Sequence, residues 1–143
     1  MAELQSTVKL SVDGYEEREV MKVDYTFTQA TDIEGQIAGI PRGGRIVVKV
    51  KARNDGNVDL LSWMLAPHLA KNGKVEFQKS TDGSTMKAIE FEDAYCVDYS
   101  ENWTEAEVNP KGEVVKTPLH SETITLSCRQ ITLGAAEYAL PWK

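Results

Sequence analysis

The chain has 143 residues, 41% of them hydrophobic, with 16 basic and 22 acidic side chains, a net charge of -6 and a pI near 5.0. That length fits a single domain over residues 1–143, one that buries roughly 70% of the surface its unfolded form exposes. The acidic balance excludes the nucleic-acid backbone as the main partner, because phosphates need a dominant positive field. Nowhere do ~18 consecutive apolar residues occur, so membrane insertion is not expected. The start, MAELQSTVKL, lacks the cationic segment and the roughly 7 to 15 residue apolar run of a secretory leader, so synthesis in the cytoplasm is expected.

Thr7 to Val12 alternates, with Val8, Leu10 and Val12 on one side, and Asp13-Gly14 supplies a turn. Arg18 to Gln29 answers it as the second arm of a hairpin, with Met21, Val23, Tyr25 and Phe27 assigned to the core. Ala30 to Gly44 then loses all periodicity and collects five residues of the turn type, Gly35, Gly39, Pro41, Gly43 and Gly44. A loop of roughly fifteen residues between the second and third strands is expected there, and compact domains usually keep such a loop for a purpose. Arg45 to Asn54 restores alternation, placing Ile46, Val48, Val50 and Ala52 inward and Arg45, Lys49, Lys51 and Arg53 outward as a cationic stripe. Such a stripe is commonly a solvated face, but it equally suits acids on a neighbouring chain. Asn57 is placed to cap a helix with Asp59 in its first turn, Val58, Leu61, Met64 and Leu65 fall at helical spacing with Leu60 and Trp63 beside them, and Pro67 stops it. A helix of about two turns must be held by docking.

Lys74 to Lys79 reads as a short strand, and Thr81-Asp82-Gly83-Ser84 turns it into the longest alternating stretch, Met86 to Tyr99. There Ile89, Phe91, Tyr95, Val97 and Tyr99 share the apolar face, and Asp93 interrupts it, so a bulge or bend is expected at Asp93. Ser100 to Leu119 is an acid-rich linker with Trp103 exposed on it, an aromatic that suggests a contact surface. Ser121 to Leu133 is the last long strand, Ile124, Leu126 and Cys128 inward, with a phase slip near Arg129 before Ile131 and Leu133. The tail, with Trp142, reads as a docked terminal segment. Because every strand alternates, a mainly β antiparallel barrel or sandwich with one core and a wet exterior is expected, not an α/β layer fold.

Chemistry is sparse. His68 and His120 lack companions at metal-ligand spacing, and no nucleophile elbow, phosphate loop or dinucleotide fingerprint occurs. Glu90 and Glu92 share a strand face and mimic an acid pair, but a solvated sheet face explains them better. Cys96 and Cys128 read as two buried reduced thiols, with a disulfide the lesser option, and Asn102-Trp103-Thr104 is a chance sequon without a leader. No cofactor or metal is expected.

The segments GIPRGGRIVVKV (Gly39 to Val50), DLLSWML (Asp59 to Leu65), FQKSTDG with MKAIEFEDAYCVDYSE (Phe77 to Glu101), TITLSCRQITLG (Thr123 to Gly134) and Trp142, in this order and spacing, closely resemble the tube protein of bacterial type VI secretion systems, the Hcp or TssD family, in a divergent branch. The resemblance spans nearly the whole chain. It implies a compact antiparallel β-barrel with one short flanking helix, and a structural function instead of an enzymatic one. Hexameric rings stack into a hollow tube that sheath contraction expels, with effector proteins in the lumen or on the tip. The implied partners are other copies of the chain, sheath, baseplate and spike proteins, and effectors. The implied location is cytoplasmic during assembly and then extracellular, without a signal peptide. The family's extended loop corresponds to Ala30 to Gly44, which makes Asp32, Glu34, Arg42 and Arg45 candidate stacking contacts. Lys49, Lys51 and Arg53 would pair with Glu90 and Glu92 between neighbours, or else line the channel. The stretch Glu101 to Leu119 is more acidic and longer than the family suggests, and Arg129-Gln130 departs from it as well.

Three alternatives stand beside this reading. The tube of an extracellular phage-tail-like injection particle would share the fold. A small-ligand-binding barrel would need a cavity that Tyr25, Phe27, Trp63, Phe91 and Tyr95 are expected to fill. A hydrolase would have to rest on Glu90 and Glu92 alone.

Overall fold

The computed structural model describes residues 7–42, 44–53, 55–78, 85–134 and 136–139. The expected turn at Thr81 to Ser84 and Trp142 lie outside these residues. The elements in order are β1 (Thr7–Val12), β2 (Arg18–Tyr25), β3 (Thr28–Thr31), β4 (Ile37–Arg42), β5 (Arg45–Lys51), α1 (Asp59–Leu65), β6 (Lys71–Gln78), β7 (Thr85–Thr104), β8 (Glu107–Val108), β9 (Val114–Lys116), β10 (Leu119–Leu133) and β11 (Ala136–Ala139).

The strands run in the order β11-β10-β5-β2-β1-β6-β7, and β7 pairs back onto β10. All these pairings are antiparallel, so six strands close into a barrel and β11 lies outside the closed ring, paired to Gln130–Leu133 of β10. Closure decides for the barrel over the sandwich, and it satisfies the backbone groups that an open sheet would leave at its edges. The interior is filled by Leu10, Ile46, Val48, Val50, Val75, Ile89, Phe91, Ile124, Leu126 and Ile131, all almost fully buried. Each contributes roughly 1.5–3 kcal/mol by leaving water. This filling stands where the ligand-binding alternative requires a cavity. Of the aromatic residues expected inside, Phe91 and Trp63 are buried, Tyr25 and Tyr95 are half-buried, and Phe27 is exposed.

Two bulges explain where alternation misleads. In β2 the register against β5 shifts between Val20 and Lys22, so Met21 is exposed while Val20, Val23 and Tyr25 face the core as half-buried residues. In β7 the expected break at Asp93 is present, with its backbone in the left-handed region at φ 49. The face then inverts: Ala94 and Cys96 are buried, Tyr95 is half-buried and Val97 is exposed. A further register shift opposite Thr125 and Leu126 brings Tyr99 back to the core side. Arg129 of β10 lies level with Asp93, and its Nε donates to the Asp93 carboxylate at 2.6 Å, while the Asp93 N–H donates to Asn72 at 2.9 Å. The slip expected near Arg129 and the break at Asp93 are thus one joint irregularity in two paired strands, with an ion pair across it.

The helix is α1, but its buried residues are Leu60 and Trp63, whereas Val58 and Leu65 are exposed. The docked face is therefore offset from the expected stripe. Val58, not Asn57, is the capping residue, and the Asn57 side chain instead accepts from the Asp59 N–H at 3.0 Å. Trp63 Nε1 donates to the Leu69 carbonyl at 2.8 Å, which folds the chain after Pro67 under the helix. Gly73 on β6 is required by packing: a Cβ there would lie 2.3 Å from the Ser11 carbonyl oxygen and 2.7 Å from the Phe91 ring.

Two stretches expected as irregular are ordered excursions. Within Ala30 to Gly44, β3 and β4 pair as a two-stranded hairpin. From Ser100 onward β7 continues to Thr104, β8 pairs with β9, and β10 begins at Leu119. Gly and Pro content suppressed the strand signal in both. Cys96 and Cys128 are buried and unbridged. Burial pushes their thiols up to about 11 and about 12.

Candidate assembly interface

The barrel register places the excursions at opposite ends. β2 ends and β5 begins where Tyr25 pairs with Ile46, so the β3–β4 hairpin leaves from that end. At the other end Lys51 pairs with Ser121, and Thr104 pairs with Leu119, so α1 and the β8–β9 hairpin connect there.

The same device builds both tips. Asp32 Oδ1 accepts from the N–H groups of Glu34 and Gln36, each at 2.9 Å, and Gly35 follows with φ 84. Asn109 Oδ1 accepts from the N–H groups of Lys111 and Glu113 at 3.0 and 2.9 Å, and Gly112 follows with φ 84. An Asp or Asn that bonds the backbone two and four residues on, with glycine three residues later, is a turn with a mechanism. The patterns DIEGQ and NPKGE carried that signal. Asp32 is therefore first a turn former. Its turn leaves Glu34 exposed and Ile33 with 101% relative exposure, an apolar side chain held wholly in water.

The other predicted contacts divide by what they already touch. Arg45 is exposed at the base of the hairpin, and Arg42 lies on β4 opposite Thr28. Arg53 is committed within the chain: it pairs with Glu16 and Asp55, each at 2.5 Å. The Asp55 hydrogen bond raises the Arg53 pKa, and the Arg53 hydrogen bond lowers that of Asp55. Glu92 pairs with Arg129 at 3.4 Å. Among the described residues, Lys49, Lys51 and Glu90 have no ion-pair partner. Lys49 sits directly opposite Lys22 on β2, and Lys22 in turn pairs with Asp24 at 3.7 Å. Glu90 and Glu92 lie level with Thr132 and Gln130 of β10, whereas Lys51 and Lys49 lie level with Ser121 and Thr123. The fold thus keeps Lys49 and Lys51 apart from Glu90 and Glu92 within one copy, while Glu90 lies opposite Lys74 on β6. Of the paired carboxylates, Glu92 is held by Arg129 and Glu90 lies opposite Lys74, and among the described residues no cluster of His, Cys, Asp and Glu is placed to hold a metal.

Trp103 is on strand β7 instead of a loop, and it is 60% exposed. With Lys51, Ala52, Pro118, Leu119 and His120 it lines a depression of about 310 Å³. His120 bonds Glu101 at its side. Beneath this end lies a group that the sequence reading missed. Arg18 and Glu122 form a buried ion pair, the Arg18 Nη2 also donates to the Lys51 carbonyl at 3.0 Å, and the Tyr99 hydroxyl donates to Glu122 at 2.6 Å. Burial first, and then the Glu122 carboxylate, hold the Tyr99 hydroxyl well above its ordinary pKa. Extending the inward register of Ile124, Leu126 and Cys128 back by two residues finds Glu122, and that was the available signal.

A filled, closed barrel with apolar side chains exposed on outlying hairpins defines a structural protein that meets other protein surfaces. The family model for the hemolysin coregulated protein Hcp (TssD) matches residues 4–143. Hcp1 from Flavobacterium johnsoniae is 31% identical, with a TM-score of 0.77 over 94% of this chain and 99% of that one. Hcp1 from Salmonella typhimurium is 14% identical, with a TM-score of 0.66 over 94% of both chains. A chain of the sheath-tube complex of the extracellular contractile injection system PVC is 14% identical, with a TM-score of 0.55 over 90% of this chain and 88% of that one. No curated protein matches the sequence. The chain belongs to the Hcp (TssD) family, whose members are structural tube proteins and not enzymes.

Proposed function

We propose that the chain, as one domain, is the repeating subunit of the inner tube of a type VI contractile secretion apparatus. Copies close into hexameric rings, rings stack head to tail into a hollow tube, and the tube carries effectors out of the cell when the sheath contracts. Assembly takes place in the cytoplasm against sheath, baseplate and spike proteins. The observation that carries this reading is a filled, closed barrel with different features at its two ends, the Ile33 turn at one and the Trp103 depression at the other, because a heterologous interface needs two different faces. The wall with Lys22 and Lys49 meets the neighbour's wall with Glu90 and Glu92. Glu34, Arg42 and Arg45 act at the stacking contact, with Asp32 shaping the turn. The closed barrel wall offers few free strand edges, so side chains and the excursions, not edge pairing around the wall, make the contacts.

Similarity to the tube of an extracellular injection particle supports that apparatus as a second reading, but the higher identity and TM-score with Hcp1 favour the secretion system. Negative-stain electron microscopy of the purified chain tests the proposal. Rings with a central hole are expected, and a monomer at every concentration and salt would overturn it.

A further inference from the structure

The two ends of the barrel carry complementary features that are used by nothing among the described residues of one copy. At one end the β3–β4 tip presents Ile33, fully in water, beside the Glu34 carboxylate and the outer oxygen of Asp32. At the other end the depression of about 310 Å³ has Trp103, Ala52, Pro118 and Leu119 as apolar wall, and Lys51 at its margin. Trp103 and Leu119 are 60% and 38% exposed and lie side by side, an apolar patch of the kind that marks a contact surface. The volume is ample for one branched aliphatic side chain. Glu101 is already occupied by His120 and by the Tyr99 hydroxyl at 3.3 Å, and Lys51 is the cation on the lining of the depression.

We infer that Ile33 of one copy inserts into the Trp103–Leu119 depression of the copy stacked upon it, with Glu34 beside Lys51. The occupant is a second copy of this chain because the tip and the socket are on opposite ends of one molecule, which is what a head-to-tail contact repeats. An apolar anchor in a pocket with a charge pair at the rim is the arrangement that gives an interface both affinity and register. The inference rests on the tube reading above and names the contact that joins successive rings.

The test uses the full chain, with tube length scored by electron microscopy. Ile33→Asp is expected to leave single rings intact and to shorten stacks at least tenfold. Lys51→Glu and Glu34→Lys are each expected to shorten them several-fold, and the double variant Lys51→Glu/Glu34→Lys to restore them. A chain with Ile33→Cys and Leu119→Cys, treated with a short bis-maleimide, is expected to give a ladder of linked copies that neither single variant gives. If the wild type makes stacks but the double variant shows no rescue and no ladder appears, the socket is wrong and the tube reading stands. If the wild type makes no stacks under any condition, both fall.

Discussion

Replacing Glu122 by leucine is expected to destabilise the protein more than any exposed substitution. Arg18 and Glu122 have side chains 4% and 5% exposed, so neither charge has water to fall back on. Two Arg18 nitrogens, Nε and Nη1, are buried without a partner among the described residues, so the guanidinium already sits at the edge of what its surroundings satisfy. Stranding one member of such a pair costs about 3–5 kcal/mol. With an unfolding entropy of about 2.1 cal/mol/K per residue over 143 residues, Tm falls by roughly 10 to 17 °C. The companion Arg18→Met/Glu122→Leu removes both charges, and it should recover most of that loss because apolar replacement of a whole buried pair is often neutral or better. The assay is guanidinium unfolding followed by the fluorescence of buried Trp63, at one fixed protein concentration because assembly adds concentration-dependent stability. A loss below about 1 kcal/mol in Glu122→Leu, or a double variant no better than the single, would refute the reasoning.

Three further outcomes are expected. Cys96 and Cys128 have ordinary values near 9.0, raised in the fold to about 11 and about 12, so the folded state holds protons that the unfolded chain releases. The stability they contribute is complete below pH 9, declines as pH rises through 9 to about 12, and is removed in alanine variants, which unfolding curves at graded pH will show. Gly73→Ala should cost about 1–3 kcal/mol or more, because its methyl group meets backbone and ring together, and thermal unfolding measures it. Replacing Arg42 and Arg45 by glutamate should weaken stacking with the fold unchanged. Equally long tubes under tube-forming conditions would remove the hairpin base from the contact.

Strand identity was legible wherever alternation was uninterrupted. In β5, Ile46, Val48 and Val50 are buried as the period-2 pattern requires. Phase was not legible beyond a bulge, because one inserted residue exchanges the faces: Val97 was assigned inward and is exposed, while its neighbour Cys96 is on the buried side. The hairpins were hidden by glycine and proline, whose low strand propensity is overridden by the Asx turns at Asp32 and Asn109. The charged candidates could be named but not sorted. Whether Arg53 is free depends on Glu16, 37 residues earlier and brought beside it only by the fold. The buried Arg18–Glu122 pair spans 104 residues, and neither residue type announces burial.

The half-turn that Asp93 introduces into the longest strand also decides where the helix can sit. Tyr95 and Val97, turned away from the barrel axis, line a hollow of about 260 Å³ with Trp63, Met64 and Leu69, so the outside of the wall becomes greasy just where α1 lands. Had the strand kept step, those two side chains would crowd the interior and the helix would lie on Ala94 and Cys96, a surface too shallow to grip an indole. A lone carboxylate, restrained by Arg129, thereby acts as the hinge pin between the wall and its buttress.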